Sequence, residues 1–87
     1  MRVTVVCFGS LRDYLPPGAS GNSVEVEVPD GATPKDLLDA IGAPERLLFA
    51  ALVDGDHARL DQRLQEGTEV TLMPPFTGGT ENEVLER

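Results

Sequence analysis

Tryptophan is absent from this 87-residue chain, cysteine and histidine occur once each (Cys7 and His57), and aromatic residues make up only 5%. A single cysteine excludes an intramolecular disulfide, and one Cys with one His cannot assemble a Cys/His zinc cluster, so no metal site is expected. No stretch approaches the ~18–20 consecutive apolar residues of a membrane span. The opening Met1-Arg2-Val3-Thr4-Val5-Val6-Cys7 also lacks the charged, apolar and small-residue order of a secretory signal. A cytoplasmic location without a membrane partner is the expectation. Basic side chains are scarce as well, 7 against 15 acidic, for a formal net charge of −8. Nucleic-acid affinity comes largely from Lys and Arg neutralising phosphates, so this balance argues against a nucleic-acid partner and for a basic protein surface. A domain of this size buries only about 60–65% of the surface its unfolded chain exposes, which leaves little interior for an enclosed active site. No nucleophile, base and orienting group can be assembled from the residues present, and an enzyme in its own right is not expected.

The residues that are present read as alternating short strands and turns around one helix. Arg2 to Phe8 is a β-branched, apolar run that predicts a strand. Leu11 to Leu15 allows about one helical turn, and Pro16-Pro17-Gly18 begins a loop. Val24, Val26 and Val28 alternate with Glu25 and Glu27, the pattern of an antiparallel strand with one solvated face. Thr33-Pro34-Lys35-Asp36 predicts a helix start, with Thr33 as N-cap, and Gly42 before Ala43-Pro44 its end; Leu37, Leu38 and Ile41 form the apolar stripe between. Leu47 to Val53 reads as a third strand, Asp54-Gly55-Asp56 as a hairpin turn and His57 to Leu60 as a brief edge strand. Asp61 to Leu64 suggests a single helical turn, and Thr68 to Met73 a last strand stopped by Pro74-Pro75. This order predicts an α+β domain, a β-grasp, in which one helix packs across one face of a mixed sheet of about five strands.

Strand alternation then separates two faces. With Val3, Val5 and Cys7 toward the helix, Thr4, Val6 and Phe8 point outward; with Val70 and Leu72 inward, Thr71 and Met73 point outward. If the first and last strands are neighbours, Val6, Phe8 and Met73 make one exposed apolar patch suited to docking. After the prolines, Gly78 and Gly79 project on an arm without side chains, and only glycine passes a channel that any Cβ would block.

Two motifs carry a family resemblance. Phe8-Gly9-Ser10-Leu11-Arg12-Asp13-Tyr14 is similar to the Phe-Ala-x-Leu-Arg-Glu segment of ubiquitin-like sulfur-carrier proteins. Met73-Pro74-Pro75-Phe76-Thr77-Gly78-Gly79 resembles their Phe-Pro-Pro-Val-x-Gly-Gly ending. The likeness spans Met1 to Gly79 and points to the small subunit of molybdopterin synthase and its sulfur-carrier and archaeal modifier relatives. It implies that the terminal glycine carboxylate is adenylated by a ubiquitin-activating-type adenylyltransferase, which uses ATP, and becomes a thiocarboxylate that gives up its sulfur inside a partner synthase. Carried over by position, Gly79 is the activated residue and Gly78 gives it access. Phe8, Met73, Pro75 and Phe76 belong to the partner-binding surface, with Arg12 as an ion-pairing residue. The carrier itself then binds no cofactor and is a protein cosubstrate.

The sequence departs from that pattern at its end, because Gly79 is followed by Thr80-Glu81-Asn82-Glu83-Val84-Leu85-Glu86-Arg87. Residues 1–79 are expected to be the carrier domain and 80–87 a flexible extension, removed before Thr80 by a JAMM-type zinc metalloprotease as in some relatives. Its removal takes away three Glu and one Arg and moves the formal charge from −8 to −6. Two other readings stay open: a ubiquitin-like modifier that forms isopeptide bonds through Gly79, and a binding subunit without terminal chemistry. Cys7 is expected to be a small buried hydrophobe, His57 to lack any partner for catalysis, and Asp54, Asp56 and Asp61 to be a solvated turn.

Overall fold

The computed structural model describes residues 1–75. Strand β1 (Arg2–Cys7) is followed by a 3-10 helix over Gly9–Tyr14, then β2 (Ser23–Glu27) and the helix α1 (Pro34–Ile41). A second 3-10 turn over Glu45–Leu47 leads into β3 (Ala50–Val53), β4 (Asp56–Ala58) and β5 (Glu69–Met73). The sheet has five strands in the order β2-β1-β5-β3-β4. Its central pair, β1 with β5, is parallel, and the β1–β2, β3–β4 and β3–β5 pairs are antiparallel. A parallel pair needs a crossover, and the segment carrying α1 supplies it. The β-grasp expectation holds.

Local chemistry explains each boundary. The Thr33 hydroxyl accepts from the Asp36 amide while the Asp36 carboxylate accepts from the Thr33 amide, so two orphan donors at the start of α1 are satisfied. Such a cap stabilises by about 1 kcal/mol. Gly42 ends the helix in the left-handed region (φ 81°). The β3–β4 hairpin turns on Asp54 (φ 51°) and Gly55 (φ 90°), the paired positive φ values that match strand twist.

The core lies between α1 and one face of the sheet. Val3, Val5 and Cys7 of β1, Val70 and Leu72 of β5, Ala51 of β3 and Leu37 and Leu38 of α1 form one buried cluster. Leu11 is fully buried and pins the 3-10 helix after β1 to that cluster. Burying a Leu or Val of this kind contributes about 1.5–3 kcal/mol each. Few such residues exist, so each one matters.

Several boundaries differ from the expectation, and three of them have a local cause. The Leu47–Val53 run becomes strand only at Ala50, because Glu45–Leu47 closes a 3-10 turn first. The edge strand is Asp56–Ala58 rather than His57–Leu60, since the turn needs only Asp54 and Gly55. Asp61–Leu64 forms no helix: the Leu64 amide donates to the Ala32 carbonyl at 2.8 Å, and that tertiary bond replaces the local one.

Candidate functional site

The face of the sheet opposite α1 is where the candidate residues meet. Register pairs Val6 with Thr71, Thr71 with Leu52 and Leu52 with His57, so one row crosses β1, β5, β3 and β4 on the outer side. Met73 pairs with Ala50 one step further along. Val6, Thr71, Leu52, Met73 and Ala50 are all half-buried, whereas their inward neighbours Cys7, Leu72 and Ala51 are closed to solvent. The outer face is therefore mainly apolar, with Thr71 at its centre, and partly open to solvent.

Two exposed phenylalanines stand at its rim: Phe8 continues the outward alternation of β1, and Phe49 precedes outward-facing Ala50. Phe8 is 41% exposed and Phe49 70%, the exposed large hydrophobics among the described residues. The Phe8 amide donates to the Leu72 carbonyl (3.3 Å) and the Phe49 amide to the Met73 carbonyl (2.7 Å). Both backbones thus flank the end of β5, where the chain leaves the sheet. An apolar patch that ends at an exiting strand is suited to hold a partner.

Gly9 fixes that exit. It sits at φ +56°, and a Cβ built there would stand 2.8 Å from Cγ of Pro74. A side chain at this position would be strained and would push the first proline of the exit segment. The close approach joins the Phe8-Gly9 segment to the Met73-Pro74 segment, a contact not expected from the sequence.

The remaining expected site residues fall as follows. Arg12 is exposed on the 3-10 helix, beside a shallow depression it lines with Gly9, Asp13, Leu15, Ala19 and Gly21, and makes no ion pair among the described residues. Pro75 is exposed. Phe76, Gly78 and Gly79, and the boundary before Thr80, lie outside the described residues. Cys7 is fully buried, and burial pushes its thiol from an ordinary 9.0 up to about 11, which keeps it protonated and unreactive. Asp54 is occupied by the Glu69 amide (3.0 Å) and Asp61 by Arg59 (2.9 Å), so these carboxylates serve the turn. His57 is exposed, and among the described residues no group of three His, Cys, Asp or Glu is arranged to hold a metal ion. No helix among them is long and apolar enough to cross a membrane.

Leu52, Ala50 and Phe49 were not among the expected site residues. Leu47–Val53 is apolar throughout, so alternation alone does not tell its two faces apart; only the β3–β5 register, Ala50 opposite Met73, does.

A helix-backed mixed sheet of this order is the ubiquitin-like β-grasp fold. The chain belongs to the ThiS family, whose model matches residues 5–79. It is similar to small archaeal modifier protein SAMP1 of Haloferax volcanii, at 27% identity and a TM-score of 0.67 over 91% of this chain and 100% of that one. Its fold is also that of a chain in the complex of subunits 1 and 2 of the molybdopterin-converting factor of Helicobacter pylori, at 21% identity and a TM-score of 0.57 over 91% of this chain and 100% of that one. No curated protein matches the sequence.

Proposed function

We propose that this protein is a sulfur carrier, a cosubstrate whose Gly79 is the reacting residue. The observation that supports it best is the pairing of an apolar outer face, continuous from β1 through β5 to β3, with a family match that runs to Gly79. The face docks on an activating enzyme, and the glycine arm enters that enzyme's site. A carboxylate is a poor electrophile; an ATP-using adenylyltransferase makes it an acyl adenylate, and a sulfur nucleophile displaces AMP to give the thiocarboxylate. The thiocarboxylate then donates sulfur in the synthesis of molybdopterin or another sulfur-containing metabolite. The recipient is a synthase subunit, as the paired subunits of the molybdopterin-converting factor of Helicobacter pylori suggest.

In this sequence Gly79 is joined to Thr80, so the reading requires hydrolysis of that bond, with residues 1–79 as the working domain and 80–87 as the released segment. A JAMM-type metalloprotease is the proposed agent. The likeness to SAMP1 supports a second reading, a modifier whose Gly79 acylates target lysines. Intact mass of the chain recovered from its native host separates them. A species ending at Gly79 with one oxygen replaced by sulfur is expected for the carrier. Conjugates of larger mass, joined through Gly79, indicate the modifier, and a chain found only with its last residue at Arg87 while its partners are expressed would overturn both.

A further inference from the structure

Lys35 is the one lysine of the sequence, and the other six of its seven basic side chains are arginines. A guanidinium stays protonated at neutral pH and does not accept acyl groups. Lys35 Nζ is therefore the one side-chain amine of this sequence, and it is engaged, as is the Met1 ammonium. Lys35 Nζ donates to the two carboxylate oxygens of Asp39, at 3.2 and 3.1 Å, and lies 3.7 Å from Glu45. The Met1 ammonium donates to the Val28 carbonyl and faces Asp30 at 3.4 Å and Glu27 at 3.8 Å, with its own side chain 5% exposed.

We infer that this domain is an acyl donor that withholds its own amines as acceptors, with Lys35 as its one side-chain site of self-acylation, kept in reserve by Asp39 and Glu45. The inference rests on the proposed activation of Gly79. In the step concerned, an amine lone pair attacks the glycyl carbonyl carbon of the adenylate. A C–N bond forms, the C–O bond to AMP breaks, and the amine loses its proton to solvent. Only the neutral amine has that lone pair. The Asp39 hydrogen bond and charge, with Glu45 adding to them, raise the Lys35 pKa and favour the unreactive ammonium. The sequence has a single lysine, and it is ion-paired to Asp39 and Glu45. Under the modifier reading, any chain of copies grows through Lys35.

The test uses the full chain and N-hydroxysuccinimidyl acetate, with a lysine-containing model peptide in the same tube as the standard and site-resolved mass spectrometry as the readout. Lys35 is expected to acetylate roughly twofold or more slowly than the peptide lysine, and the Met1 amine more slowly than the peptide α-amine. Asp39→Asn with Glu45→Gln, or wild type at high salt, should bring Lys35 up to the peptide rate. Lys35→Arg should leave Met1 as the only acetylated amine. Wild-type amines that react as fast as the peptide's, or a Lys35 rate indifferent to both the variant and salt, would overturn the inference. The probe carries its own leaving group, so this result is independent of Gly79. Slow Lys35 in a chain never cleaved before Thr80 would reject the carrier reading and leave the guarding intact.

Discussion

Gly9 and Cys7 show how single positions carry opposite kinds of constraint. Gly9 combines a left-handed backbone with a forbidden approach to Pro74, whose ring is tied to the main chain and cannot swing away. Gly9→Ala is expected to destabilise the domain by about 1–2 kcal/mol, a drop of several degrees in Tm measured by thermal unfolding. It should also slow formation of any Gly79 adenylate, because the exit segment is displaced. Cys7 is constrained by burial instead. Its folded-state pKa lies above the unfolded one, so the stability tied to its protonated form is complete below pH 9 and falls as pH rises from 9.0 toward about 11. The loss is at most about 2–3 kcal/mol, visible as a declining urea midpoint across that window. Iodoacetamide should leave Cys7 unmodified at pH 8 in the folded protein and alkylate it fully in urea; rapid labelling of the native chain would contradict its assignment as a core residue.

At the scale of elements, the outer face belongs to no single strand. Val6 comes from β1, Thr71 and Met73 from β5, Ala50 and Leu52 from β3, and Phe8 from the residue that follows β1. Phe8→Ala and Leu52→Ala are therefore expected to weaken binding to the proposed activating enzyme by roughly tenfold or more each by calorimetry, while shifting Tm little, since neither side chain is in the core. A loss of affinity confined to Phe8 would limit the docking surface to β1 and β5. That limit is also what the sequence alone conveys. Alternation in Val3–Cys7 and Val70–Leu72 identifies inward and outward residues, and the Thr33 cap and Gly42 stop define α1, because these signals are local. Leu47–Val53 is apolar at nearly every position, so its face is decided by pairing with a strand almost twenty residues further on, which no local pattern records. The same holds for Asp61–Leu64, where a bond from Leu64 to Ala32 overrides a weak helical preference. The motif residues were legible in sequence, but the Gly9 contact with Pro74 that joins the two motifs required the fold.

For the whole molecule, the formal charge of −8 acts at distances where the apolar face does not. Side-chain packing decides how long a complex lasts, whereas net charge of one sign governs how often the partners meet, and the two respond differently to salt. Charge steering of a basic partner raises association rates by ten- to a thousand-fold, and the screening length shrinks from about 10 Å at 0.1 M salt to about 3 Å at 1 M. Stopped-flow measurement against the proposed activating enzyme is thus expected to show the association rate falling by roughly tenfold between low and high salt, with the dissociation rate almost unchanged. Cleavage before Thr80 lowers the magnitude of the charge to −6, so the shortened chain should associate more slowly at low salt and converge with the full chain at high salt. Phe8→Ala should do the reverse, raising the dissociation rate at every salt concentration. An association rate indifferent to salt would mean that the partner surface is not basic, and the acidic excess would then be left with solubility as its only role.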